Sequence, residues 1–268
     1  MYNFTTMFNL RFAKDYLLYL LKAKTRHGTH SPFVYRLVDK VIYDFSAKKV
    51  YPEVEKIREG LLADDRMITI TDLGAGSHVN NDRQKKISSI AANALKPPKL
   101  AQLLYRLVAD LQPDNMIELG TCLGITSIYL QKAAPNAKLY TLEGCPETAG
   151  VAKESFKKAG LNNIELTTGN FDNTLPGIIA GLDKLDFVFV DGNHQKQATL
   201  NYFEWCLPKA HDGTLLIFDD IYWSDGMKEA WAQIKAHPKV TVTIDLFWIG
   251  LVYFKTDQAK EDFVIKFV

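Results

Sequence analysis

The stretch Asn115-Met116-Ile117-Glu118-Leu119-Gly120-Thr121-Cys122-Leu123-Gly124 constrains this chain most. An apolar strand runs into a glycine turn and the turn opens a helix. About twenty residues on, Leu139-Tyr140-Thr141-Leu142-Glu143 reads as a second strand with a carboxylate at its tip. That is the layout of a nucleoside-binding crevice at the carboxyl edge of a parallel sheet. Dinucleotide sites use G-x-G-x-x-G, which lets backbone amides close on a pyrophosphate. Here Gly120 and Gly124 have three residues between them, a G-x-x-x-G pattern, and position 122 is a cysteine.

Two acidic residues, Glu118 and Glu143, bracket the turn. A pocket of that charge suits a ribose carrying a cationic, phosphate-free group better than a pyrophosphate, and S-adenosylmethionine (SAM) meets that description. Gly120 has no Cβ to hinder a cofactor. The Glu143 carboxylate offers the acceptor fork that matches the two vicinal hydroxyls of a ribose.

Beyond Asp114 the strand and helix patterns alternate. Strand-like runs cover residues 116–119, 138–142, 163–168, 185–190 and 214–218, with helical segments such as 147–159 and 197–206 between them. Alternation of this kind predicts an open, mostly parallel sheet with helices on both faces. The runs 240–246 and 248–254 then follow with almost no linker. Strands so close in sequence pair antiparallel, because a parallel crossover needs a dozen or more residues. The expected fold is therefore α/β: a doubly wound, mostly parallel, seven-stranded sheet ending in an antiparallel hairpin.

Residues 1–97 read differently and are expected to form a helical extension on a body of residues 98–268. Residues 4–24 suggest an amphipathic helix rich in Phe, Tyr and Leu. Ser31-Pro32 looks like an N-cap followed by proline at the first helical position, opening a helix to about Tyr43. Pro97-Pro98 separates helical segments near 84–95 and 99–111. The aromatic N-terminal helix has three open readings: covering a substrate mouth, building a homodimer interface, or completing the core; an in-plane membrane helix is a weaker one, because its basic residues are few.

Two more strands deliver carboxylates to the same edge. Asp186-Phe187-Val188-Phe189-Val190-Asp191-Gly192-Asn193-His194 ends on Asp191, and Leu215-Leu216-Ile217-Phe218-Asp219-Asp220 ends on a pair. Converging carboxylates repel unless something positive lies between them, and a hard divalent cation such as Mg2+ takes oxygen ligands of this kind. Asp191, Asp219 and Asp220 are thus candidate metal ligands; capping of the following helix is the alternative for the last two. His194, three residues past Asp191, is a candidate general base, since an imidazole exchanges its proton near neutrality.

Residues 98–254 resemble a class I SAM-dependent methyltransferase, most of all the catechol and caffeoyl-CoA O-methyltransferase group. Residues 117–124 are similar to that group's first cofactor motif, and Glu143 to its ribose-binding acidic residue. The resemblance implies cofactor-binding roles for Glu118, Gly120, Thr121, Gly124, Glu143, Gly144 and Asp191. Thr168-Gly169-Asn170-Phe171 resembles the segment against the adenine, which implicates Asn170 and Phe171. Asp191-Gly192-Asn193-His194 matches the segment that carries a metal ligand and, three residues on, a catalytic lysine; this chain has His194 there. Asp219-Asp220 resembles the pair that completes the metal site, usually Asp-Asn. The implied activity is methyl transfer from SAM to an oxygen of a small-molecule acceptor, with catalysis by His194 and Asp191. The rival readings are an NAD-dependent oxidoreductase, against which the missing middle glycine and the hairpin both argue, and a SAM-binding protein without turnover.

Composition excludes several other classes. Net charge is +1 and the pI about 7.7, so no nucleic-acid partner is expected. Three cysteines without C-x-x-C spacing suggest neither a disulfide framework nor a zinc site, and no run is long enough for a membrane span. A cytoplasmic protein is the expectation. Two segments keep two readings each. Residues 72–77 (Asp-Leu-Gly-Ala-Gly-Ser) imitate a cofactor loop and suit a lid or a surface turn. Residues 26–33 (Arg-His-Gly-Thr-His-Ser-Pro-Phe) suit reception of an anionic substrate or a basic helix-capping loop.

Overall fold

A computed structural model describes residues 10–71 and 83–267. In chain order the first elements are α1 (Leu10–Lys22), α2 (Pro32–Leu37), α3 (Val50–Leu62), β1 (Met67–Thr69), β2 (Gln84–Lys86), α4 (Ile87–Ala94) and α5 (Pro98–Leu111). There follow β3 (Asn115–Leu119), α6 (Ile125–Ala133), β4 (Lys138–Glu143), α7 (Pro146–Lys158), β5 (Ile164–Thr168) and α8 (Phe171–Ala180). The chain continues through β6 (Phe187–Val190), α9 (Lys196–Cys206), β7 (Leu215–Asp219), α10 (Asp225–Ala236), β8 (Val242–Asp245), β9 (Ile249–Tyr253) and β10 (Glu261–Val264). Residues 45–175 make one compact unit, and residues 10–44 with 176–267 make another.

In the first unit β3, β4 and β5 run parallel, with Ile117 opposite Tyr140 and Thr141 opposite Leu166. Four of the five β3 residues are buried, as befits a strand covered on both faces. Helices α3 to α7 build the core around it, with Ile125, Ile128 and Tyr129 of α6 meeting Val54, Ile87, Ala101 and Phe156. Pro98 opens α5 at a position where its missing N–H costs nothing. The segment expected to start a helix at residue 84 does not. Gln84–Lys86 pairs antiparallel with Met67–Thr69, and α4 begins only at Ile87, the first apolar residue of the stretch.

In the second unit β6 and β7 are parallel, while β9 is antiparallel to both β7 and β8. This is the expected terminal hairpin. An additional strand, β10, runs parallel to β8, so there are eight strands from β3 onward instead of seven. Its first two residues are exposed carboxylates, which suit an edge and disguise a strand. Ser31 caps α2 by accepting the Val34 N–H, with Pro32 next, as the sequence indicated; the helix then widens into a π-turn at Val38–Ile42. The described part of the aromatic N-terminal helix, α1, belongs to this unit. Phe12, Tyr16 and Tyr19 surround Phe247 at centroid distances of 5.1, 4.8 and 5.3 Å. The Tyr19 hydroxyl donates to Ile265 O and accepts from Phe267 N–H. Burial pushes its pKa up, so it stays a neutral donor.

Candidate active site

The turn after β3 is fastened to the end of β4. The N–H groups of Gly120 and Thr121 both donate to Leu142 O, at 2.9 and 3.1 Å. The Thr121 and Thr141 hydroxyls bond at 2.6 Å. Gly120, Cys122 and Gly124 all have positive φ (101°, 49° and 86°), and two of the three are the residue without a Cβ penalty. Gly124 has a packing duty as well: a Cβ there would lie 2.7 Å from the Phe156 ring and 3.3 Å from Ala152. The glycine lets α6 settle against α7.

Glu143 sits beside this turn, half-buried. One carboxylate oxygen accepts the Cys122 N–H at 2.8 Å and the other the Cys145 N–H at 2.9 Å. Two backbone amides therefore fix its plane. They take two of the roughly four acceptor positions that a carboxylate offers. The segment after β5 lies at the same place, because Gly169 N–H donates to Glu143 O at 2.9 Å. Asn170 follows and accepts the Asp172 N–H on its side chain, capping the helix that Phe171 opens. Gly144 and Phe171 are half-buried. The first unit thus gathers Gly120, Thr121, Glu143, Gly144 and Asn170 into one cradle.

Glu118 is placed differently from the rim position its spacing suggests. It is fully buried and accepts the Ser127 hydroxyl and, at 2.7 Å, the Thr141 hydroxyl. These bonds tie β3 to β4 and α6. Its contribution is to hold the strands that carry the turn.

In the second unit, β6 delivers Asp191 and β7 delivers Asp219. The chain after Asp191 turns through left-handed backbone at Asn193 (φ 65°) and His194 (φ 35°), and Asn193 is anchored by its amide donating to the Tyr202 hydroxyl at 3.0 Å. His194 Nε2 lies 3.9 Å from Asp191 Oδ1 and 3.9 Å from Asp220 Oδ2. One donor atom each from Asp191, His194 and Asp219 falls within 4.8 Å of the others. The trio is thus not the three aspartates of the sequence reading. Asp220, on left-handed backbone (φ 53°) with its N–H donating to Trp248 O, is not one of the three. Two carboxylates and an imidazole this close are a donor set that a divalent cation accepts.

Some of these features were not legible beforehand. Nothing in the sequence marked the amides of Cys122 and Cys145 as the pair that fixes Glu143, or Tyr202 as the anchor of Asn193. The loop at residues 72–77 lies outside the described residues, as do residues 4–9 of the expected N-terminal helix.

Comparison with known proteins agrees with this architecture. Residues 117–221 match a family model described as a methyltransferase domain. A catechol O-methyltransferase of Niastella koreensis is 35% identical over 126 residues, covering 46% of this chain and 55% of that protein. The chain thus spans about half the length of that curated relative. A catechol O-methyltransferase of Mycobacterium tuberculosis is 27% identical over 157 residues, covering 56% of this chain and 70% of that protein. Among solved structures, an O-methyltransferase from Bacillus cereus in complex with SAH superposes with a TM-score of 0.55 at 21% identity, over 79% of this chain and 93% of that one. Most of strand β3, its turn and the segments ending at Asp191 and Asp220 fall within residues 117–221, the part of this chain that is similar to a methyltransferase domain.

Proposed function

We propose that the protein transfers a methyl group from SAM to an oxygen of a small-molecule acceptor, residues 98–268 being the catalytic body and 1–97 its extension. The observation that carries this reading is Glu143, a carboxylate fixed by the amides of Cys122 and Cys145 beside a glycine turn. Bound SAM supplies the methyl on a sulfonium, and the acceptor oxygen displaces S-adenosylhomocysteine in line. Glu143 would accept hydrogen bonds from the ribose hydroxyls, Gly120, Thr121, Gly124 and Gly144 would line the cofactor's approach, and Asn170 and Phe171 would lie against the adenine. Because two amides hold Glu143 before any ligand arrives, less ordering is needed on binding.

His194 takes the proton of the acceptor hydroxyl, with Asp191 Oδ1 and Asp220 Oδ2 each 3.9 Å from its Nε2. The remaining task is alignment of oxygen, methyl and sulfur. A second reading is favoured by the mutual approach of Asp191, His194 and Asp219. These three would hold a divalent cation, with an imidazole in place of an all-oxygen shell. Such an ion would favour the ionised acceptor. A cytoplasmic setting is consistent with Cys122, Cys145 and Cys206 forming no disulfide; no described helix is long and apolar enough to cross a membrane.

The test is incubation of the pure protein with SAM and a panel of hydroxylated small molecules, following S-adenosylhomocysteine release. Acceptor-dependent release supports the proposal, and its loss on chelation selects the second reading. SAM binding without turnover on any acceptor would replace it with a non-catalytic binder.

A further inference from the structure

Helix α1 is apolar on two sides, and among the described residues only one of them is covered. At 100° per residue Phe12, Tyr16 and Tyr19 share the side that meets Phe247. Leu17 and Leu21 lie opposite, with Leu18 at their edge, and they are 60%, 83% and 42% exposed. A surface helix ordinarily has a single apolar stripe. Three of the eight exposed large hydrophobic side chains of the described residues sit on this one helix of 13 residues.

Charge decides what covers them. Residues 10–26 hold five basic side chains and one acidic one, Asp15. Asp15 is engaged with Lys228 at 2.7 Å, Arg11 with Asp225, and Arg26 with Asp39. Lys14 projects on the leucine side, and Lys22 and Lys24 follow at its end, all exposed. A second copy laid face to face would bring lysines of one sign together. A sheet of anionic headgroups complements them, and lysine stems let the ammonium groups reach headgroups while leucines enter the acyl boundary.

We propose that the outward face of α1 docks in the plane of an anionic lipid bilayer. Three leucines are too little apolar surface to anchor a protein alone, so binding requires both the insertion and the lysines. This goes beyond the methyl-transfer reading and does not depend on it.

The experiment is flotation of the full chain with vesicles of phosphatidylcholine alone and of phosphatidylcholine mixed with phosphatidylglycerol. Association with the mixed vesicles only is expected, falling roughly fivefold or more in Leu17→Ser/Leu21→Ser and in Lys14→Glu/Lys22→Glu, and on raising salt. Unchanged far-ultraviolet circular dichroism shows that the variants are folded. No association of the natural chain with anionic vesicles overturns the proposal, as does equal binding by the leucine variant. A concentration-dependent dimer abolished by Leu17→Ser/Leu21→Ser, without vesicle binding, would assign the face to a second copy instead.

Discussion

The turn after β3 and the turn after β6 both lie beside an acidic side chain at the end of a strand, yet they hold their carboxylates differently. Glu143 is gripped by two backbone amides at 2.8 and 2.9 Å, and its neighbour Glu118 is sealed between two hydroxyl donors. Around His194, by contrast, the carboxylates of Asp191 and Asp220 stand at 3.9 Å, beyond hydrogen-bond length, with His194 and Asp220 on left-handed backbone. The first arrangement spends backbone donors to preset a geometry, which is what recognition of a fixed ligand requires. The second brings carboxylates and an imidazole close together at more than hydrogen-bond length from the ring nitrogen, a spacing that a proton or a cation could bridge. Under the proposed function, binding and chemistry fall to differently built places.

The largest effect should come from His194→Ala. Loss of a general base lowers kcat by about 10²–10⁴, while SAM affinity stays as in the natural chain. A parallel fall in SAM affinity, measured by calorimetry, would break the division between the two turns.

Two glycine replacements sharpen it. Gly124→Ala puts a Cβ 2.7 Å from Phe156 at φ 86°, and Gly250→Ala puts one 2.6 Å from the Trp231 ring. Each should cost about 1–3 kcal/mol by overpacking. Gly124→Ala carries a further ~1 kcal/mol for its left-handed backbone. Urea unfolding measures both. Only Gly124→Ala should also weaken SAM binding, because only it disturbs the cradle.

The smallest effect concerns pH. Asp212 is built like Glu143, accepting the Thr256 N–H at 2.6 Å together with the Thr256 hydroxyl and Lys255. The Thr256 backbone bond leads in lowering its pKa to about 2 from the ordinary 3.8. Its folded value is below the unfolded one, so its contribution is present above about pH 4 and is lost as pH falls toward 2. Asp212→Asn should destabilise by less than about 1 kcal/mol at neutral pH, because the group is half-exposed, and by nothing near pH 2. Asp245 has the opposite sign. Burial raises its pKa despite donation from Phe247 N–H and the Tyr222 hydroxyl, so the stability it lends is present in acid and fades as pH rises through its folded value.

Much of this was readable from residue order, and for physical reasons. Strands β3, β4, β6 and β7 are apolar runs that stop at Gly, Glu or Asp, and the β8–β9 linker is too short for anything except a hairpin. Where the signal is local, as at Ser31-Pro32 or Gly120, the structure follows it. Glu118 was harder: β3 is buried on both faces, so no alternation tells which residues face the rim. Gln84–Lys86 lacks any apolar periodicity, and β10 begins on two carboxylates. The place of His194 among the aspartates depends on backbone at Asn193, His194 and Asp220 that non-glycine residues seldom adopt.

Titration calorimetry of SAM and S-adenosylhomocysteine against the natural chain and Glu143→Ala tests the central claim most directly. Both ligands should bind the natural chain, and the variant should bind each about 10–100-fold more weakly, as expected when charge-assisted hydrogen bonds to a ribose are lost. A natural chain that binds neither, or a variant that binds both as tightly, would contradict the account.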